Sequence, residues 1–278
     1  MKPKQRKKAI NLFIYIACLV IVLVSIFPIV WIFLSSFKTR VEIFSIPPVW
    51  IPSLNIQNYL QEFTGSASRL PFLWNSLKVG LFSTLCVVLI GSLAAYGLAK
   101  FPVPGKKHWE FWVLSVRMMP PIASMIPLYL ILRSVRLLDS NAGLIMVHIG
   151  FNLPFVVWIL AGFLRQIPRD IEEAALLDGC TWFQAMFKIA LPLSAPGLAT
   201  ISIFSFMFSW NELLGALVLT GRNAKTLPVA ISEYWSQTQI RWESMTALSV
   251  VHIIPIIIVT FIIQRYIVRG LTMGAVKE

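Results

Sequence analysis

PRDIEEAALLDGCTWFQAMFKIALP, residues 168–192, is the one long polar-edged interruption between apolar runs that still reads as ordered helix. Asp170, Glu172, Glu173 and Asp178 place four of the chain's 12 acidic residues within nine positions, a grouping that suits a docking surface. Asp170 with Glu173, and Thr181 with Gln184, both have the N-cap to N3 spacing in which each side chain satisfies an otherwise orphaned backbone N–H. The spacing predicts two short helices. One runs from Ile171 to about Asp178 and stops at Gly179, which can take the left-handed conformation; the other runs from Trp182 to about Ala190 and ends before Pro192. Ile171, Ala174, Ala175 and Asp178 fall on one stripe of the first. Trp182, Phe183, Met186, Phe187 and Ala190 make an apolar stripe on the second, enough to lay it against the ends of other helices. The pair reads as a rigid lever fixed to a helical bundle.

The remainder of the chain says what that bundle is. At 57% hydrophobic and 13% charged residues, with a mean hydropathy of +0.76, it reads as an all-α polytopic membrane protein rather than a soluble one. The net charge of +12 raises nucleic acid as a partner. The basic residues, however, sit in short segments beside apolar runs, as lipid topology requires, so no nucleic-acid partner is expected. Cys18, Cys86 and Cys180 lie far apart without metal-ligand or disulfide-framework spacing.

Six apolar runs are long enough to cross a ~30 Å hydrocarbon core: residues 10–37, 70–99, 109–132, 142–164, 197–220 and 244–268. The first is too long for a signal-peptide core. Pro28, Pro120, Pro121, Pro127, Pro154 and Pro255 are expected to kink or shorten the helices that carry them. A basic segment at 1–9 in the cytoplasm, with a second tail at 269–278 on the same side, puts 14 Lys and Arg inside against 9 outside, with Arg117 within a span. The excess predicts both termini inside. It also places 168–192, between the fourth and fifth spans, in the cytoplasm. The outer segments are then 38–69 and 221–243, whose Trp and Tyr suit an interfacial collar or a surface for another protein.

Arg117 in the third span and Glu212 in the fifth, the latter preceded by Trp210 and Asn211, are costly at such depth. They read either as a structural pair or a snorkelling side chain, or as the lining of a substrate pathway. His148, Asn152 and His252 are weaker candidates for that pathway, since a lone intramembrane His or Asn more often bridges helices.

Several stretches carry a resemblance. Glu173, Ala174, Ala175, Gly179, Ile189, Leu191 and Pro192 match the EAA loop of permease subunits of bacterial binding-protein-dependent ABC importers: EAA, three residues, Gly, nine residues, Ile, one residue, Leu, Pro. RMMPPIASMIPLYLI in the third span, WNE in the fifth and the C-terminal QRYIVRGLTMGAVKE resemble the maltose-type carbohydrate branch, in particular the second permease of its heterodimeric pairs. The resemblance implies a type I ABC importer permease fold with six spans, in the bacterial cytoplasmic (inner) membrane. It implies as partners a second homologous permease, two ATPase subunits, an external solute-binding protein, a sugar or polyol substrate and membrane lipid. The EAA loop would be the coupling helix entering a cleft on the ATPase. Glu173 would make a charged contact, Ala174 and Ala175 would allow close approach, Gly179 would set the bend, and Asp178, Ile189, Leu191 and Pro192 would complete the loop. In relatives the tail after Gly270 approaches the ATPase. No cofactor or metal is expected on this chain; ATP and Mg would be used by the partner ATPase.

An amphipathic loop at the membrane interface is the plainer alternative for 168–192, and an ion-coupled transporter using Arg117 and Glu212 is the alternative for the whole. An intramembrane enzyme has less behind it. GRNAKT at 221–226 lacks the Gly before Lys that a phosphate-cradling loop requires. Neither HExxH nor GxSxG occurs, and the three His lack zinc spacing.

Overall fold

The computed structural model describes the backbone of residues 3–65, 68–235 and 240–275, and the side chains of 10–65, 68–235 and 240–262. The basic tail at 1–9 and the tail at 269–278, Gly270–Glu278 included, fall outside the described side chains. Along the chain the helices are α1 (Pro3–Ser35), α2 (Arg40–Ile43), α3 (Gln57–Phe63), α4 (Leu70–Lys100), α5 (Lys106–Met118), α6 (Pro121–Ser134) and α7 (Asn141–Arg165). They continue as α8 (Arg169–Leu177), α9 (Trp182–Ala185), a π-helical turn over Met186–Ala190, α10 (Leu191–Leu193), α11 (Ala195–Trp210), α12 (Leu214–Leu219), α13 (Leu227–Ser232) and α14 (Trp242–Ala275). The residues form two compact groups, 1–68 with 231–254 and 69–230 with 255–278.

In the larger group α4 and α7 are the central pair. The face of α4 carrying Val79, Ser83, Val87, Gly91, Ala95 and Ala99 is buried, as is that of α7 carrying Leu144, His148, Asn152, Val156 and Leu160. Small residues make the approach close: a Cβ at Gly91 would lie 2.4 Å from Val156 Cγ1. In lipid, where apolar contact alone does not favour association, such close contact is what holds helices together. Met186, Ala190 and Ile201 join the same core from the π-helical turn and α11.

Four helices cross-check as spans by length and composition, at Ile10–Ser35, Leu70–Lys100, Asn141–Arg165 and Trp242–Ile262. The other two expected spans are broken. In place of one kinked helix over 109–132, α5 and α6 meet at 93°. Met119 and Pro120 are extended between them, because a residue before proline is pushed out of the helical region and here two prolines follow in succession. In place of one helix over 197–220, α11 ends at Trp210 and α12 begins at Leu214. Before α11 the chain bends by 82° at Ser194. Pro192 does not end the preceding helix as expected. It is carried within the continuous helical run Trp182–Leu193, directly after the π-helical turn.

A polar clasp joins two segments outside the spans. Asp139 accepts backbone N–H groups from Gly221 (2.7 Å), Arg222 (3.0 Å), Asn223 (3.1 Å) and Ala224 (3.1 Å). Asn75 donates to the carbonyls of Asn223 and Lys225 beside it. Burial opposes the charge on Asp139, but the four N–H groups outweigh it and hold the carboxyl below the usual carboxylate range. A depressed folded value means the clasp contributes fully at neutral pH, above the unfolded value, and is lost as pH falls through the folded one. Asp139→Asn is therefore expected to cost on the order of 2 kcal/mol at pH 7. The gap to the parent should close as pH is lowered through the acid range, which thermal unfolding at several pH values in detergent measures.

The smaller group orders the long segment after α1 by polar contacts. Asn58 Nδ2 donates to the carbonyls of Ser36 and Lys38 at 2.8 and 2.9 Å, and Tyr234 donates to Glu62. Thr39 and Glu42 form a capping box at α2. This loop is folded, with Trp50 60% exposed and edge-on to Trp31 at 5.3 Å.

Candidate functional site

The lever at 168–192 exists, with altered ends. Pro168 is extended (φ −55, ψ 137) and α8 begins at Arg169. Asp170 therefore does not cap the helix. It lies in the first turn with Glu172, where a carboxylate still gains from the helix dipole. The helix closes at Leu177 with Asp178 as its C-cap. Gly179 has φ +89; its N–H bonds to Leu176 O and that of Cys180 to Ala175 O, both at 3.0 Å, the paired bonds of a Schellman ending. Thr181 and Gln184 then form the capping box their spacing predicts, at 3.2 and 2.9 Å.

Burial divides the residues of the loop. Glu173, Ala174, Asp178, Gly179 and Pro192 are exposed, Ile189 is half-buried, and Ala175 and Leu191 are buried. The expected apolar stripe of the second helix is only partly covered. Met186 and Ala190, together with Ala185, face the core, whereas Trp182, Phe183 and Phe187 are 45%, 63% and 40% exposed. Leu177, at 89% exposure, adds to this uncovered apolar surface around Glu173.

What holds the lever was not visible in the sequence. Glu172 Oε2 and Lys100 Nζ, 2.6 Å apart, form an ion pair with side chains 2% and 4% exposed. Lys100 also donates to Ile167 O at 2.9 Å, Arg169 donates to Lys100 O at 3.4 Å, and the Phe101 and Trp182 rings lie 5.1 Å apart. The lever is thereby fastened to the last residue of α4 as well as to its chain neighbours.

Within the larger group a cavity of about 280 Å³ is lined by Arg117, His148, Asn152, Ser209 and Glu212 among aromatic and aliphatic side chains. The break after α11 places Glu212 there. Its carboxylate accepts the N–H groups of Gly215 (2.6 Å) and Ala216 (3.0 Å), capping α12, and stands 3.5 Å from His148 Nε2. Asn152 Nδ2 donates to Ser209 Oγ at 3.1 Å, and Ser209 is 2.9 Å from Ser83 Oγ. Arg117 donates to Phe151 O at 2.8 Å and lies over the Phe208 ring at 4.7 Å, a cation–π contact. Arg117 and Glu212 are thus near one cavity without forming a pair, each held by its own backbone partners.

Of the five pathway candidates, the structure brings Arg117, Asn152 and Glu212 together. Trp210 is 1% exposed and stacks on Phe206 at 5.6 Å. Asn211 is exposed and donates back to Met207 O at 2.8 Å; neither lines the cavity. His148 and Ser209 do. His252 is half-buried on α14. Nothing in the sequence distinguishes Ser209 from other membrane serines.

The family described as binding-protein-dependent transport system inner membrane component matches residues 87–273. The sulfoquinovosyl glycerol transport system permease protein SmoH of Agrobacterium fabrum is 37% identical over 265 residues, covering 95% of this chain and 93% of that one. The trehalose transport system permease protein SugB of Mycobacterium tuberculosis is 40% identical over 257 residues, covering 91% and 93%. The trehalose/maltose transport system permease protein MalG of Thermococcus litoralis is 31% identical, covering 96% and 97%. Among solved structures, a chain of a bacterial ABC transporter involved in the import of the acidic polysaccharide alginate superposes with a TM-score of 0.79 at 21% identity, covering 96% of this chain and 98% of that one. That likeness gives the fold, the type I ABC importer permease fold. With a family match over two thirds of its length and relatives covering nearly all of it, the chain belongs to the binding-protein-dependent transport system inner membrane components, as a multi-pass permease subunit.

Proposed function

We propose that this chain is one of two homologous permeases in an ATP-driven importer that carries a sugar or related polyol across the cytoplasmic membrane. Two partner ATPase subunits would hydrolyse MgATP and an external solute-binding protein would deliver the substrate; the chain itself would bind no cofactor. Relatives named for trehalose, for sulfoquinovosyl glycerol and for trehalose and maltose support the carbohydrate. The observation that carries the coupling role is the exposed surface of the lever: Glu173 is uncovered, and Leu177, Trp182 and Phe183 of the same loop are exposed with it, uncovered apolar surface of the kind that marks an interaction site. Both termini lie in the cytoplasm on this reading, on the same side as the lever, as the Lys and Arg distribution favours.

Closure of the ATPase pair displaces α8, and α4, α7 and α11 follow as rigid bodies between outward and inward openings. Arg117, Asn152, Ser209 and Glu212 would offer hydroxyl-binding groups along the path.

Vesicles reconstituted with the co-purifying subunits and binding protein test this. Uptake of labelled sugar should require ATP and MgATP hydrolysis, and should not respond to an ion gradient. Gradient-driven uptake without ATP would instead support the ion-coupled reading of Arg117 and Glu212. Glu173→Lys should leave the chain inserted while lowering uptake by on the order of thirtyfold or more, the loss that accompanies a broken buried charge contact. Unchanged uptake and assembly in that variant would remove Glu173 from the interface.

A further inference from the structure

A second cavity, of about 400 Å³, opens between α4, α5 and α7. Every residue lining it is apolar, among them Leu98, Trp109, Trp112, Val116 and Leu153. Gly150 leaves part of its wall open, since a Cβ there would meet nothing within 4 Å. Lys106, Trp109, Val113 and Val116 share one stripe of α5 at helical spacing. From Lys106 to Val116 that stripe is about 15 Å long, the depth of one leaflet of a ~30 Å hydrocarbon core.

Four unpartnered donors lie on the Lys106 half of α5, beside the exposed ring of His108. Among the described residues, Lys106 and Lys107 make no ion pair or side-chain hydrogen bond, and the Trp109 and Trp112 indoles have no acceptor. The one acid on α5, Glu110, is taken by Arg165 of α7. An apolar trough one leaflet deep, with two free ammonium groups at its head and two free indoles along its wall, lacks only an anion attached to an alkyl chain. We propose that the trough holds an acyl chain of an anionic phospholipid whose phosphate rests on Lys106 and Lys107. A protein helix laid in the same place would have to bring its own acids, because unpaired lysines are costly to bury. A lipid phosphate supplies the charge at the interface, where Trp indoles are at home. The trough adjoins the polar cavity, with Val116 and Pro154 lining both, but its lipid does not depend on the identity of the sugar.

The test uses the full chain with its co-purifying subunits, exchanged into phosphatidylcholine nanodiscs and titrated with phosphatidylglycerol, the retained lipid being counted by native mass spectrometry. The parent should hold one phosphatidylglycerol tightly. Lys106→Gln with Lys107→Gln should weaken that affinity about thirtyfold, each membrane-surface charge contributing about fivefold. Gly150→Leu, which fills the trough and leaves both charges in place, should abolish it. Gly162→Leu, at another position where a Cβ meets nothing within 4 Å but outside the trough, should bind as the parent does. Both glycine variants favour helix over the parent residue, and unchanged thermal unfolding checks that they are folded. Parental binding by Gly150→Leu, equal retention of phosphatidylcholine by the parent, or efficient crosslinking of Val113→Cys to a second permease would each overturn the proposal.

Discussion

Glu172→Ala is expected to lower stability by about 3–5 kcal/mol, the usual cost of stripping one partner from a buried ion pair. Lys100 would be left with a charge in a site 4% exposed, satisfied only by Ile167 O. Lys100→Ala should do comparable damage from the other side, leaving the buried Glu172 without the cation it pairs with. Lys100→Met combined with Glu172→Leu should recover most of the loss, since an apolar pair of similar volume removes the uncompensated charge. Thermal unfolding of the three variants in detergent measures this, and additive losses in the double variant would show that the two side chains do not act as a pair. The same double variant bears on transport: if the pair ties α8 to α4 mainly by filling space, uptake survives in it. If charge contact is needed as the lever moves, uptake falls while stability is retained.

The second large effect is steric. Gly91→Leu puts a Cβ 2.4 Å from Val156 Cγ1 and 3.1 Å from its Cβ. Val156 is wholly buried, and its branched side chain has one comfortable rotamer in a helix, so it cannot turn aside. Either α4 and α7 separate or both helices strain, at about 1–3 kcal/mol or more for overpacking. Gly97→Leu on the same helix meets nothing within 4 Å and should be neutral. A fall in folded yield and unfolding temperature for Gly91→Leu alone confirms the contact; equal behaviour of the two variants contradicts it.

The features legible in the sequence are those with a period or a local cap. Apolar runs of more than 20 residues predict helices at 70–99 and 142–164, and α4 and α7 lie there. Gly179 as a helix stop and Thr181 with Gln184 as a start are local signals, and both appear in the structure. The prolines were ambiguous. Pro154 is carried within α7, whereas Pro120 and Pro121 divide a span, and only tertiary neighbours decide whether freed carbonyls find partners. Long-range pairing was not legible: Lys100 and Glu172 are 72 positions apart, and Glu172 looks like its neighbour Glu173 until burial separates them. The cavity was half visible, because Arg117 and Glu212 are costly in an apolar run and stand out. Ser209 carries no such cost, and Trp210 and Asn211 drew attention only by standing beside Glu212.

The most apolar 18-residue window of α1, within Ile10–Ser35, has no buried residue. Leu, Ile, Val and Phe are nearly interchangeable to a bilayer but not to Gly91 and Val156. Mutational drift should therefore run at different speeds along one molecule, with α1 accepting almost any greasy substitution while the seam between α4 and α7 tolerates few.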